Sequence, residues 1–154
     1  MEKETNCSAA TVTVRGIVSS GIGQSELFTE LRWVKKQFRE KLGISPYPGT
    51  LNITVSHAYK SQLEAIRQMK GIEIMPKDAG YCSGKGFPAL INGKVRGAVI
   101  FPLVPHYPDD KLELISSEYL KQSLSLRDGD EVEVIIYITV KGTLPRKEDR
   151  VNKI

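Results

Sequence analysis

Phe87-Pro-Ala-Leu-Ile91-Asn-Gly-Lys-Val95-Arg-Gly-Ala-Val-Ile-Phe101 decides the fold class. Two apolar runs flank Asn92-Gly93, a strong signal for a tight antiparallel hairpin. Downstream, Pro102, Pro105 and Pro108 mark a loop, and Leu112-Glu-Leu-Ile115 reads as a strand. Ser116 or Ser117 is placed to cap a short helix through Leu124. Leu126-Arg-Asp-Gly-Asp130 is a turn, and Val132 to Val140 is a last strand, apolar enough to be central. Upstream, Lys77 to Gly86 has glycines but no apolar period and reads as a loop, with a short strand before it at residues 72 to 75.

Further upstream the periods alternate. Gly49-Thr-Leu-Asn-Ile-Thr-Val-Ser56 turns Leu51, Ile53 and Val55 one way and Thr50, Asn52 and Thr54 the other. Pro46 and Pro48 hold the approach extended. Ser61-Gln-Leu-Glu64 fits a capping box for a second helix with Leu63, Ile66 and Met69 on its buried side. Leu27, Leu31, Val34, Phe38 and Leu42 form one helical stripe that ends at Gly43. Trp33 lies off that stripe, placed to cover a neighbouring edge. Thr11-Val-Thr-Val-Arg-Gly-Ile-Val18 is a β-branched strand. Strands arriving as hairpins and short segments predict a mainly β fold, a compact six- to seven-stranded closed barrel with two or three inserted helices, over a doubly wound sheet.

Composition limits the function classes. The chain has 154 residues, 40% hydrophobic and 26% charged, with a net charge of +4. This is the size and balance of one globular domain. The expected organisation is an N-terminal tail over 1–10, the barrel over 11–140 and a basic C-terminal tail over 141–154. No apolar run is long enough to span a membrane. The mixed-charge start shows no signal-peptide pattern, and Cys7 and Cys82 read as free thiols, so a cytoplasmic location is expected. The small charge excess and the lack of aromatic–basic interleaving give no ground to expect nucleic acid as a partner.

Three motifs carry chemistry. Gly16-Ile-Val-Ser-Ser-Gly-Ile-Gly23 runs from a strand into a glycine turn, where backbone N–H groups could approach phosphate; a plain tight turn is the other reading. Thr50 and Asn52 present neutral oxygens on one strand face, a set suited to Mg²⁺ and equally to a polar edge. Glu113, alone among apolar neighbours, could orient a hydroxyl or take its proton, or simply face solvent. Gly80-Tyr-Cys-Ser-Gly-Lys-Gly86 falls short of a Walker A loop, although Lys85 could reach a ligand from it.

In order and spacing these pieces resemble the archaeal CTP-dependent riboflavin kinase family. The matching segments are Gly16 to Gly23, Pro46 to Asn52, Phe87 to Gly93, Gly97 to Pro102, Leu112 to Ile115 and Leu126 to Asp130. The resemblance implies a cradle-loop barrel and transfer of the γ-phosphoryl group of CTP to riboflavin, giving FMN and CDP. It implies nucleotide contacts at Gly21, Ile22, Gly23, Gln24, Ser25 and Glu26, and again at Glu118, Tyr119, Leu120 and Lys121. It implies Mg²⁺ on Thr50 and Asn52, and flavin contacts at Glu113 and at the position of Pro105. The partners implied are the small-molecule nucleotide and flavin. Departures cluster in the ligand-binding segments. Gln24-Ser25 replaces Glu-Gly, Pro105 replaces a threonine, Ser116-Ser117 replaces Ala-Pro and Lys121 replaces an arginine. Those departures make a non-catalytic nucleotide- or flavin-binding accessory protein the alternative.

Overall fold

Alternating side chains sort the strands into two faces, and a computed structural model of the protein shows the sheet closing on itself. The structure describes residues 10–19, 32–75, 84–103 and 107–138. The elements are β1 (Ala10–Ser19), α1 (Arg32–Gln37) running into a π-helical turn (Phe38–Leu42), β2 (Leu51–Val55), α2 (Lys60–Arg67), β3 (Ile72–Ile74), β4 (Gly84–Ile91), β5 (Val95–Pro102), β6 (Lys111–Ile115), α3 (Leu120–Ser123) and β7 (Glu131–Ile138). All pairings are antiparallel. The order β4-β5-β6-β2-β1-β7 returns to β4, which makes a closed six-stranded barrel with β3 as a seventh strand outside the ring. One edge of β4 serves two partners: Gly84–Gly86 pairs with β3, and Ala89–Ile91 pairs with β7.

The hairpin forms as the sequence predicts. Asn92 (φ 53°) and Gly93 (φ 65°) both take positive φ, as a type I′ turn requires, and β4 and β5 pair from Ile91↔Val95 outward. Gly16 lies where β1 is paired on both sides. A Cβ there would stand 2.3 Å from the Thr54 carbonyl oxygen, so only glycine allows the approach.

The inward face of every barrel strand is apolar. Val14, Val18, Ile53, Val99, Leu112, Leu114, Val134 and Ile136 fill the interior, and Leu63 and Ile66 of α2 join them. A second core lies outside the barrel. Val34, Phe38 and Ile44 cover Ile74, Ala98, Ile100 and Ile115 on the outward face, with Trp33 and Leu42 partly buried beside them. Gly43 ends that helix with φ 72°, its N–H donating back to the Arg39 carbonyl.

Several expectations need correction. Gly84-Lys85-Gly86 is the start of β4, not loop: Gly86 packs closely against Ile100 and Leu42, and a Cβ there would press on both. The Ser61 capping box does not form. A 3₁₀ turn at His57–Tyr59 carries the chain into α2 at Lys60, and the Ser61 hydroxyl donates to Gln62 instead. Neither serine caps α3 from the N-cap position, which is Tyr119. Ser116 Oγ accepts from the Glu118 N–H and donates to the Arg96 carbonyl, while Ser117 Oγ accepts from the Ser45 N–H. Leu27, Leu31, Cys7, Cys82, the glycine turn at Gly21 to Glu26, Pro105 and most of both expected tails lie outside the described residues.

Candidate functional site

The site is on the outer wall, not in the barrel interior. β2 lies between β1 and β6, with Asn52 opposite Ser19 on one side and Glu113 on the other; Thr54 lies opposite Ile17 and Lys111. A period of two therefore gathers Ser19, Asn52, Thr54, Lys111 and Glu113 on one outward face, with Thr50 just ahead of β2.

Glu113 is only 6% exposed, although it faces outward. Its register partner on β5 is Ile100, in the core under the helix, so the carboxylate sits where covered wall meets bare wall. A buried carboxylate needs hydrogen-bond donors. Thr50 Oγ1 donates to Oε1 at 3.0 Å, and the Tyr107 hydroxyl donates to Oε2 at 2.5 Å. Burial first, then the Glu113 hydrogen bond and charge, push the Tyr107 phenol far above its ordinary range, with Arg67 opposing. Tyr107 therefore remains a donor through any physiological pH.

Arg67 at the end of α2 holds the segment that delivers Tyr107. Its Nη2 donates to the Pro108 and Lys111 carbonyls at 3.2 Å each, and the guanidinium lies over the Phe101 ring at 5.4 Å and the Tyr107 ring at 6.0 Å. Lys85 is committed as well. Its ammonium donates to the Arg67 and Met69 carbonyls, completing the end of α2, and burial followed by repulsion from Arg67 lowers its pKa. Lys85 is therefore not the free ligand-seeking cation that the sequence allowed.

The Asn52 amide nitrogen donates to the Thr50 carbonyl at 3.4 Å, which leaves Oδ1 as the oxygen available to a ligand. Thr50 Oγ1 gives its proton to Glu113 and keeps its lone pairs. Two neutral hard oxygens beside a buried carboxylate suit a magnesium ion that draws its remaining ligands from phosphates and water. Among the described residues no group of three or more His, Cys, Asp or Glu side chains is placed to hold a metal ion.

Beside Thr50 a cavity of about 330 Å³ opens between two segments, Tyr47 to Leu51 and Glu118 to Lys121, with Leu114 and Ser116 between them. Its wall includes Tyr47 and Tyr119, whose rings stack at 4.6 Å and 10°. Lys121 pairs with Asp128 at 3.5 Å on the surface. The structure thus brings together Thr50, Asn52, Glu113 and, around one cavity with Thr50, all four residues from Glu118 to Lys121. Residues 21–26 and Pro105 lie outside the described residues. Sequence reasoning missed Tyr107 and Lys111. Tyr107 stood in a proline-rich stretch with no periodic signal, and only the β2–β6 register shows what it meets.

These features define a closed-barrel domain with a hydrogen-bonded polar site on its outer wall and a cavity adjoining it. The chain belongs to the CTP-dependent riboflavin kinase family: the family model CTP-dep_RFKase, described as "Domain of unknown function DUF120", matches residues 18–136. Relatives named riboflavin kinase occur in several archaea. The Archaeoglobus fulgidus protein is 38% identical over 131 residues, covering 83% of this chain and 56% of its own length. The Ignicoccus hospitalis protein is 38% identical, covering 82% and 72%, and the Saccharolobus solfataricus protein is 31% identical, covering 88% and 80%. The chain thus spans little more than half of the Archaeoglobus relative. The names of these relatives are those of phosphotransferase enzymes. Among the described residues no helix is long and apolar enough to cross a membrane.

Proposed function

We propose that this protein is a riboflavin kinase that uses CTP as its phosphoryl donor and Mg²⁺ as its metal. The observation that carries the reading is the Thr50–Glu113 hydrogen bond between residues far apart in sequence. It joins a magnesium-type ligand that lines the cavity to a buried carboxylate. Thr50 Oγ1 and Asn52 Oδ1 would hold the ion, which would supply charge neutralisation to the nucleotide phosphates. Gly21 to Glu26 would contact the nucleotide phosphates through backbone N–H groups. Glu118 to Lys121 would contact the nucleotide in the cavity.

Phosphoryl transfer asks mainly for position and field. The flavin's ribityl 5′-oxygen forms a bond to the γ-phosphorus. The bridging oxygen–phosphorus bond breaks, and its electron pair leaves with CDP. Glu113 orients the attacking hydroxyl and accepts its proton. A loose transition state releases that proton late, so a carboxylate is a sufficient base. Thr50 and Tyr107 fix the carboxylate by both oxygens, so the attacking group meets it in one orientation. The cytoplasm is the proposed location.

The test is incubation with riboflavin, Mg²⁺ and either CTP or ATP, with FMN read by chromatography. FMN with CTP and not ATP is the expected result. CTP or riboflavin binding without FMN formation would replace the kinase with a non-catalytic binder, the reading that Gln24, Ser25 and Pro105 would then favour.

A further inference from the structure

The polar wall contains a cation that none of the roles above uses. Lys111 opens β6 opposite Thr54, on the same face as Asn52 and Glu113. Lys111 is partly buried. Its ammonium lies back along the wall, donating to Thr54 Oγ1 at 2.7 Å and to Ser19 Oγ at 3.2 Å. Ser19 is the register partner of Asn52, so the ammonium reaches from the Thr54 row to the row of the proposed metal ligands. Both partners are neutral hydroxyls that fix its position without cancelling its charge. An ammonium has three N–H donors, and two are used among the described residues, which leaves a third that can meet a ligand. Other cations considered for this role are held elsewhere: Lys85 by two carbonyls, Lys121 by Asp128 and Arg15 by Glu133.

We propose that Lys111 contacts the triphosphate of the bound nucleotide and offsets the charge that develops on the transferred phosphoryl group, an inference that rests on the kinase reading. A nucleoside triphosphate with one divalent ion is still anionic, and a fixed cation on the wall acts where that charge grows. Thr54 and Ser19 act as positioning residues for the ammonium.

The experiment compares wild type, Lys111→Gln and Lys111→Arg in FMN formation, and in titrations with CTP and with cytidine. Gln is expected to lower kcat about 100-fold with the riboflavin KM nearly unchanged. It is also expected to weaken CTP far more than cytidine, which a purely structural role would not do. Arg should recover part of both losses. A Gln variant within about threefold of wild type in kcat and in CTP affinity overturns the proposal. If wild type makes no FMN, the kinase reading fails alone, and the titrations still decide: a CTP-specific loss in the Gln variant supports a phosphate contact, whereas equal affinities, or no CTP binding by wild type, overturn it. Amine-reactive labelling of wild type decides the point should the Gln variant not fold. CTP protects Lys111 and cytidine does not if the proposal holds; equal labelling overturns it.

Discussion

The outer wall of the barrel has two halves built from the same strands. Under the helix, Ala98, Ile100 and Ile115 are almost fully buried in an apolar cluster with Val34, Phe38 and Ile44. One strand over, Ser19, Asn52, Thr54 and Lys111 form a hydrogen-bonded surface that no helix covers among the described residues. β6 belongs to both halves: Ile115 lies in the first, Lys111 in the second, and Glu113 between them. The covered half contributes stability, because each buried aliphatic or aromatic side chain is worth about 1.5–3 kcal/mol. The bare half contributes hydroxyl, amide and ammonium groups able to take a ligand. Glu113 uses both: the covered half desolvates its carboxylate, and on the proposed reading the bare half would place a ligand beside it.

This division makes distinct predictions. Replacing Thr50 and Asn52 together by alanine should lower FMN formation about 1,000-fold or more, with thermal unfolding shifted only slightly. Retained activity in magnesium would break the assignment of the site to the bare half. Phe38→Ala should act in the opposite sense. A loss of about 3–5 kcal/mol in urea unfolding is expected, with turnover per folded molecule close to wild type. Glu113→Gln keeps the size of the side chain and removes its basicity. A fall of about 100-fold in kcat is expected, measured beside an unchanged fold by circular dichroism.

Tyr107→Phe sharpens the comparison at the boundary. The lost bond to a charged acceptor should cost about 1.5–3 kcal/mol in stability. The variant also has a pH signature. The folded pKa is raised, so the stability the phenol contributes is fully present below its unfolded value of 10.0 and is lost as pH rises beyond it. Wild type should therefore lose stability above pH 10.0 more steeply than the Phe variant, and parallel alkaline limbs would show that Tyr107 is not held as described.

Much of the barrel was legible because it depends on local signals. Asn92-Gly93 marked the hairpin, the alternation of Leu51 to Val55 fixed which side faces in, and Gly43 ended the helix. The misses share a cause. Gly84-Lys-Gly86 looks like a loop by composition and becomes a strand because β3 and β5 pair with it on both edges, with Gly86 close-packed against Ile100 and Leu42. Tyr107 and Lys111 gain their meaning from pairings with residues far away, Lys111 with Ser19 across 92 positions. Register between distant strands leaves no trace in a local period, so such partners appear only when the sheet is closed. Of the candidate site residues, Thr50 and Asn52 share a face by alternation, and both, with Glu113, fit the family spacing; the register that sets Glu113 opposite Asn52 was not legible.

Closure of the ring has a kinetic side. In the β1–β7 ladder Ala10 lies opposite Ile138, so the barrel joins the two ends of its described sequence. Among the described pairings that ladder requires the longest loop closure, with its entropy lost before the pairing is gained. The rate of folding should thus be governed by the last seam rather than by the Asn92-Gly93 hairpin. A circular permutant that links the two ends and opens the chain at that turn would keep every barrel pairing while making the slow seam local. Faster refolding of that permutant at similar equilibrium stability would mark the β1–β7 seam as the rate-setting step.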